Sequence, residues 1–375
     1  MHLELSEEQV LVREAVARFA AGHCDAAQRR RHRAFEGGYS PENWRVLAEL
    51  GMLALPFAAS DGGLGGGGVE LVTLMEGLGR ALAVEPVLEE IVIAGGLIAQ
   101  AGSAQQRAQW LPGIISGSVH VALAHAELGA RFGLSGLNAR AGRSGTYHVL
   151  EGEKVLVPQG GSATAFIVSA RDSAGSDQGL GFYLVQAGAS GVERREFRLI
   201  DGSVACTLAL RGAPAEKLPG GLAEFEQVAD RARIGACAEM LGIMSRLLEG
   251  TLEHVRTRRQ FGAPLGSFQV IQHTLAELFV SLEQSRSQLY RAALCVGADL
   301  ERRRTIAGMK SYVSAAALRL GEQCIQLHGG MGMSEELPIG EGHRRIVLLS
   351  TLFGDSDYEL DRYIRLELKQ RGGHE

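Results

Sequence analysis

The period of the hydrophobic pattern changes twice along this chain, and that double change restricts the fold more than any other feature. From residue 6 to about 118 apolar residues recur at helical spacing, as at Val10, Val12, Val16 and Phe19 of SEEQVLVREAVARFA. From about 119 to 215 the period falls to two: TYHVLEGEKVLVP, TAFIVSA, GFYLVQAG, GVERREFRLI and ACTLALRG are short β-branched or aromatic runs divided by Gly, Asp and Ser. From about 222 to 369 the helical period returns in long runs, the first marked by Ile234, Cys237, Leu241, Met244, Leu248 and Leu252. Alternation sends successive side chains to opposite faces of a strand, whereas a 3.6 period builds one apolar stripe on a helix. The expected fold is α+β: an N-terminal helical domain over 1–118, a middle antiparallel, barrel-like β domain over 119–220, and a C-terminal four-helix bundle over 221–375.

Local signals agree with the periods. Ser6 is placed to cap the first helix, with Glu8 in its first turn. Pro41 opens another helix and Gly51 follows its end. Pro158 cannot donate to a ladder and marks a strand end. The run DGGLGGGGVE (61–70) is expected to be a plain linker, with close approach to a ligand as the other reading. The cluster RRRHR (29–33) is expected to be a solvated helix end.

Bulk properties exclude several classes. Apolar residues make up 46% and charged residues 22% of 375 residues, an ordinary globular mix. A net charge of −5 argues against nucleic acid as a partner. No run of 18 apolar residues occurs, so no membrane span is expected. The acidic N-terminus lacks the apolar core of a signal peptide, so a cytoplasmic location is expected. Five cysteines (24, 206, 237, 295, 324) show no paired spacing and read as buried thiols rather than disulfides or metal ligands.

The stretch QLHGGMG (326–332) ends a long helical pattern with three glycines in four residues, each costing about 1 kcal/mol in helix. Bare backbone lets main-chain N–H groups approach an anion closely. A tight corner with a glycine cap is the other reading. The run RRQFG (258–262) closes the first long C-terminal helix, and Gln269 and Gln272 lie one turn apart on the next. Two guanidinium groups, an aromatic face and two amides suit a diphosphate and an adenine. For the arginines alone, a solvated helix C-terminus is the competing explanation.

These motifs give the chain a recognisable likeness. RTRRQFGAPLGSFQVIQHTLAEL, QCIQLHGGMGMSEELPIGEGHRRI, the opening LSEEQVLVREAVARFA and the order helices–sheet–helices together resemble the acyl-CoA dehydrogenases over essentially the whole length. The resemblance implies FAD-dependent α,β-dehydrogenation of an acyl-CoA thioester: a carboxylate removes the α-proton while the β-hydride passes to the flavin. It implies that FAD lies across a subunit interface. The residues matching those that hold the ADP half of a neighbour's flavin are Arg258, Phe261, Gln326, Gly329 and Gly330, with Gln269 nearby. A homo-oligomer or a heterotetramer with a related subunit, an acyl-CoA substrate and an electron-transfer flavoprotein are the implied partners.

Three departures from the family pattern stand out. Where a Thr-Glu-Pro segment and a Gly-Ser-Asp usually touch the flavin, the chain reads HAELGARFGLSG: Glu127 is kept, but Leu128 replaces proline and Gly-Ser-Asp is absent. Where a Trp-x-Thr or Trp-x-Ser usually follows a Gly-x-Lys turn, Lys154 is kept but Leu156 and Pro158 stand instead. The catalytic Glu position falls on Gly354, with Asp355 next to it, and the alternative position before Arg233 holds Ala232. Asp355 is the candidate base, with a helix cap as its other role; Glu239 is expected to pair within the bundle. The features gripping a neighbour's FAD are kept, and those serving the chain's own flavin ring are lost. The resemblance therefore points to a subunit that works with a base-carrying partner. A non-catalytic structural subunit and a flavin monooxygenase of the same fold are the alternatives.

Overall fold

The computed structural model describes residues 5–130, 132, 137–145, 147–172, 179–295, 299–334 and 337–372. Helices come first: α1 (Glu7–His23), α2 (Ala26–Ala34), α3 (Pro41–Glu49), α4 (Gly68–Ala81), α5 (Gly96–Ala101) and α6 (Ala104–Ile115). Strands follow: β1 (Val121–Ala124), β2 (Arg140–Ser144), β3 (Tyr147–Pro158), β4 (Ala165–Asp172), β5 (Leu180–Gln186), β6 (Val192–Arg198) and β7 (Val204–Lys217). Helices then return as α7 (Leu222–Thr257), α8 (Gln269–Ala293), α9 (Asp299–His328), α10 (Pro338–Thr351) and α11 (Ser356–Gly372). The polar cues work as expected. The Ser6 side chain accepts from the Gln9 amide while the Gln9 side chain caps Ser6 in return, and Ser40 caps α3 with Pro41 inside its first turn.

The chain divides into two compact units. One comprises Met1–Arg29, Gly67–Ala83 and Arg233–Glu375; the other comprises Arg30–Gly66 and Val84–Ala232.

The second unit holds the sheet. Its order is β1-β4-β2-β3-β7-β5, with β6 on β7, and β5 pairs back onto β4, so the ladder closes on itself. Leu150, Val157, Phe166, Val168, Tyr183, Val185, Leu208 and Leu210 fill its interior, each large aliphatic or aromatic side chain contributing roughly 1.5–3 kcal/mol by burial. The antiparallel expectation holds for β2–β3, β3–β7, β4–β5, β5–β7 and β6–β7, but β1 and β2 each run parallel to β4. The β2–β3 hairpin lies between those strands in sequence, so the chain re-enters the sheet in its original direction. Residues 61–70 are not a loose linker: a Cβ on Gly63 would lie 2.2 Å from Phe57 O, one on Gly66 would lie 2.8 Å from Leu55 O, and the Gly65 and Gly66 amides donate to those same carbonyls.

The first unit is the helical one. Met240, Leu241, Ile243, Met244 and Leu247 of α7 are buried, as are Ile306, Met309, Val313 and Leu320 of α9 and Ile346 and Leu349 of α10. Helix α10 is a member the four-helix expectation lacked. Its opening PIGEGHRR holds two glycines and four charges or imidazoles, which masks an apolar stripe that becomes regular only from Ile346. The basic cluster also differs from expectation at its first residue. Arg29 is buried and makes a two-pronged contact with Glu341 at 3.0 and 3.1 Å.

Candidate functional site

The two motifs of the C-terminal region build one exposed corner of the first unit. At the end of α7 the chain makes a two-residue hairpin turn between Arg259–Gln260 and Ala263–Pro264. Phe261 and Gly262 at its tip have φ of +53° and +78°, the left-handed pair that such a turn demands. Glycine accepts that conformation freely, but phenylalanine does not. Phe261 is also 91% exposed. Its ring meets the edge of Phe268 at 6.4 Å and is otherwise held out in water on a strained turn, and such strain collects where a ligand or partner is met. Arg258, Gln269 and Gln326 are exposed as well. Gln272 is occupied locally: its side-chain amide donates to Gly266 O at 2.9 Å.

The glycines that close α9 have separate reasons to be glycine. Gly329 has φ +61°. A Cβ on Gly332 would lie 2.8 Å from Ile325 O and 3.2 Å from His328 Cβ, so that position needs a bare backbone for packing. A Cβ on Gly330 would meet nothing within 4 Å. Nothing among the described residues asks for a bare backbone at 330. The hairpin and the glycine corner are tied together by His254 and His328, whose rings stack 4.2 Å apart at 22°. His254 lies one turn before Arg258 on α7, and His328 directly precedes Gly329. That pairing was not read from the sequence; the visible signal was a histidine four residues before Arg258 and another inside QLHGG.

The strand region behaves differently. Glu127 is a buried anchor, accepting from Lys154 Nζ at 2.6 Å and from the Asn138 and Ala139 amides. Burial works against its charge, but Lys154 and those amides outweigh it and hold the carboxyl below its usual range. Lys154 is fully buried and also donates to Ser169 Oγ and His125 O. His125, whose ring lies tilted against Phe225 at 4.9 Å, is pushed down to about 4 by burial and by Lys154. Leu156 sits in a register shift between Lys154 and Val157 with φ +51° and is half exposed. Leu128 is 88% exposed. Of the segment read as lacking Gly-Ser-Asp, residues 131 and 133–136 lie outside the described residues. No hydroxyl or indole stands at 156 or 158.

The corner of the expected base is closed. Gly354 has φ +140°, and a Cβ there would lie 2.6 Å from both Glu359 Oε1 and Tyr358 Cδ1. The loop is held by Arg233, which donates to Glu359 at 2.7 Å and to Phe353 O at 2.8 Å, while Arg362 donates to the other Glu359 oxygen at 3.1 Å. Asp355 accepts from the Tyr358 amide at 2.9 Å and caps α11. Glu239 is gripped by Arg345 at 2.6 and 3.1 Å, within the bundle as expected.

The fit to a flavin dinucleotide can be tested on these residues. The hairpin and glycine corner suit its diphosphate and adenine: guanidinium, exposed ring, side-chain amides and open backbone face outward together. The strand region offers a leucine at a strained bulge and a proline where a flavin ring would need donors.

Two family profiles match the chain: "Acyl-CoA dehydrogenase, N-terminal domain" over residues 6–118 and "Acyl-CoA dehydrogenase, C-terminal domain" over 220–365. The acyl-CoA dehydrogenase FadE27 of Mycobacterium tuberculosis is 30% identical over 84% of this chain and 85% of its own length. Among solved structures, a variant of the Tcur3481-Tcur3483 steroid ACAD is 29% identical with a TM-score of 0.88, covering 98% of this chain and 99% of that one. The ChsE4-ChsE5 complex from Mycobacterium tuberculosis is 27% identical with a TM-score of 0.89, covering 97% and 98%. No helix among the described residues is long and apolar enough to cross a membrane.

Proposed function

The chain belongs to the acyl-CoA dehydrogenase family, and on that premise we propose that it is an FAD-dependent acyl-CoA dehydrogenase subunit that helps to hold FAD and leaves the base to a partner subunit. The observation that carries this reading is the contrast between two corners of one unit. At 329–330 the backbone is open where a dinucleotide would be gripped. At 354 the backbone leaves no room for a side chain where the family's carboxylate would stand.

Arg258 supplies a guanidinium for the diphosphate, Gly329 and Gly330 leave the main chain approachable, and Gln326 and Gln269 offer amides. Phe261 offers a face for stacking or a wedge into a neighbouring chain. Bound FAD supplies a hydride acceptor for α,β-dehydrogenation of an acyl-CoA thioester. Asp355 is committed to capping α11, and Glu239 to Arg345; each would have to break that contact before moving a substrate proton. Two of the similar structures are described by paired names, Tcur3481-Tcur3483 and ChsE4-ChsE5, which supports a pairing of related subunits here. An electron-transfer flavoprotein is the proposed acceptor.

The test is purification alone and together with a related, base-carrying subunit, followed by a flavin spectrum and titration with acyl-CoA. The expected result is a yellow complex whose flavin bleaches with acyl-CoA, and a chain that alone gives little bleaching. Strong bleaching by the chain alone, abolished in Asp355→Asn, would make Asp355 the base and overturn the helper reading. A colourless complex would leave a purely structural subunit.

A further inference from the structure

The stack of His254 on His328 has a place in the corner that neither motif accounts for. The Arg258 amide donates to His254 O at 2.8 Å, so His254 is the residue on which the last turn before the hairpin is hung. His328 is buried, with Nδ1 2.8 Å from Cys324 O. A carbonyl only accepts, so Nδ1 carries the proton and the ring is fixed against α9. Gly332 packs against the Cβ of the same residue. The contact between the two rings, 4.2 Å from centroid to centroid, is thus a direct bridge from the Arg258 turn to the glycine corner.

We propose that His254 and His328 act as a strut that sets the spacing between Arg258 and the backbone at 329–330, and that the strut stands only while at most one of the two rings is charged. The proposal rests on the reading of this corner as a dinucleotide grip. Two neutral imidazoles stack well, and one imidazolium over a neutral ring is tolerated. Two imidazolium rings at that distance would repel each other. Burial, then His328 across the stack and Arg258 just past the end of α7, all disfavour a proton on His254. Acid therefore strains the strut. His254 is a positioning residue, acting on a ligand through Arg258.

The test uses the protein as it purifies, with its partner where it has one, freed of flavin and titrated with ADP-ribose by calorimetry at pH 7.5 and pH 5. The diphosphate of this probe keeps its charge across that range. Affinity is expected to fall about tenfold or more in acid. His254→Phe, which keeps a stacked ring without a charge, should bind as wild type at pH 7.5 and lose the acid decline. His254→Ala should bind at both values about tenfold more weakly than wild type does at pH 7.5, while melting normally. An acid decline that persists in His254→Phe, binding that strengthens in acid, or an unchanged affinity in His254→Ala would each overturn the strut. Arg258→Ala separates the two levels: if it binds ADP-ribose like wild type, the grip itself is misplaced. If it loses binding while the His254 variants do not, only the strut falls.

Discussion

Gly329, Gly330 and Gly332 lie in one short 3-10 turn yet meet different surroundings, and substitution separates them. Gly332→Ala drives a methyl into Ile325 O and should cost about 1–3 kcal/mol of stability, read as a lowered denaturation midpoint. Gly330→Ala meets nothing and should stay within about 0.5 kcal/mol of wild type, while flavin retention drops. Equal flavin content in Gly330→Ala and wild type would show that the open backbone there serves no ligand. Gly354 gives the complementary case. Restoring the family's residue with Gly354→Glu should add no activity and should destabilise by at least about 1–3 kcal/mol, because φ +140° and the contacts to Glu359 and Tyr358 both reject a Cβ. A rise in turnover in that variant, measured without the partner, would refute the view that this loop has been rebuilt around Arg233 and Glu359. At this scale the sequence showed which residues were missing. It could not show that the vacated position had become sterically closed, because the Arg233 that draws Glu359 into the loop lies far from it in the chain.

Helix α10 shows why an element can escape a periodicity reading and still be firmly held. Lys310 of α9 is fully buried, and its ammonium donates to Leu349 O at 2.8 Å, Ser350 O at 2.9 Å and Ser314 Oγ at 3.0 Å. It therefore stands at the C-terminal end of α10, where free carbonyls and the helix dipole attract a cation. The tie links residues 39 and 40 positions apart and leaves no trace in a local pattern. Burial pulls Lys310 from its ordinary 10.5 down to about 8, opposed by Cys237 and Glu359. Below pH 8 both folded and unfolded chains hold the proton, and the fold bears the whole burial cost, about 3 kcal/mol. Between about 8 and 10.5 the unfolded chain keeps a proton that the folded one has released, so stability rises with pH. Wild type should thus gain about 2 kcal/mol between pH 7.5 and 9.5 relative to Lys310→Met. Denaturant midpoints of the two proteins at both values give the comparison; parallel changes would mean that Lys310 keeps an ordinary affinity for protons in the fold.

For the whole molecule, the double change of period carried the fold, since it depends only on which face of each element is apolar. The pairing of β1 and β2 with β4 and the closure of the sheet were not legible, because register and direction are set by contacts distant in sequence. The motif residues were legible for the same reason that they are informative. Arg258, Phe261, Gln269, Gln326, Gly329 and Gly330 all face solvent, so no core constraint explains them. A set of exposed groups gives little affinity until a second surface excludes water from the other side. If that surface is another chain, flavin binding and assembly are linked: each favours the other by mass action. Dilution should then release flavin and dissociate the oligomer over the same concentration range, and added FAD should shift dissociation to lower protein concentration. Flavin fluorescence and sedimentation recorded on one dilution series make the comparison. Arg258→Ala should separate at higher concentration in the presence of FAD than wild type, yet match it without FAD, because its guanidinium acts through the ligand and not through the protein contact. Flavin that stays bound to a fully dissociated chain would mean that one chain builds the entire site, and the open corner at 329–330 would then need another occupant.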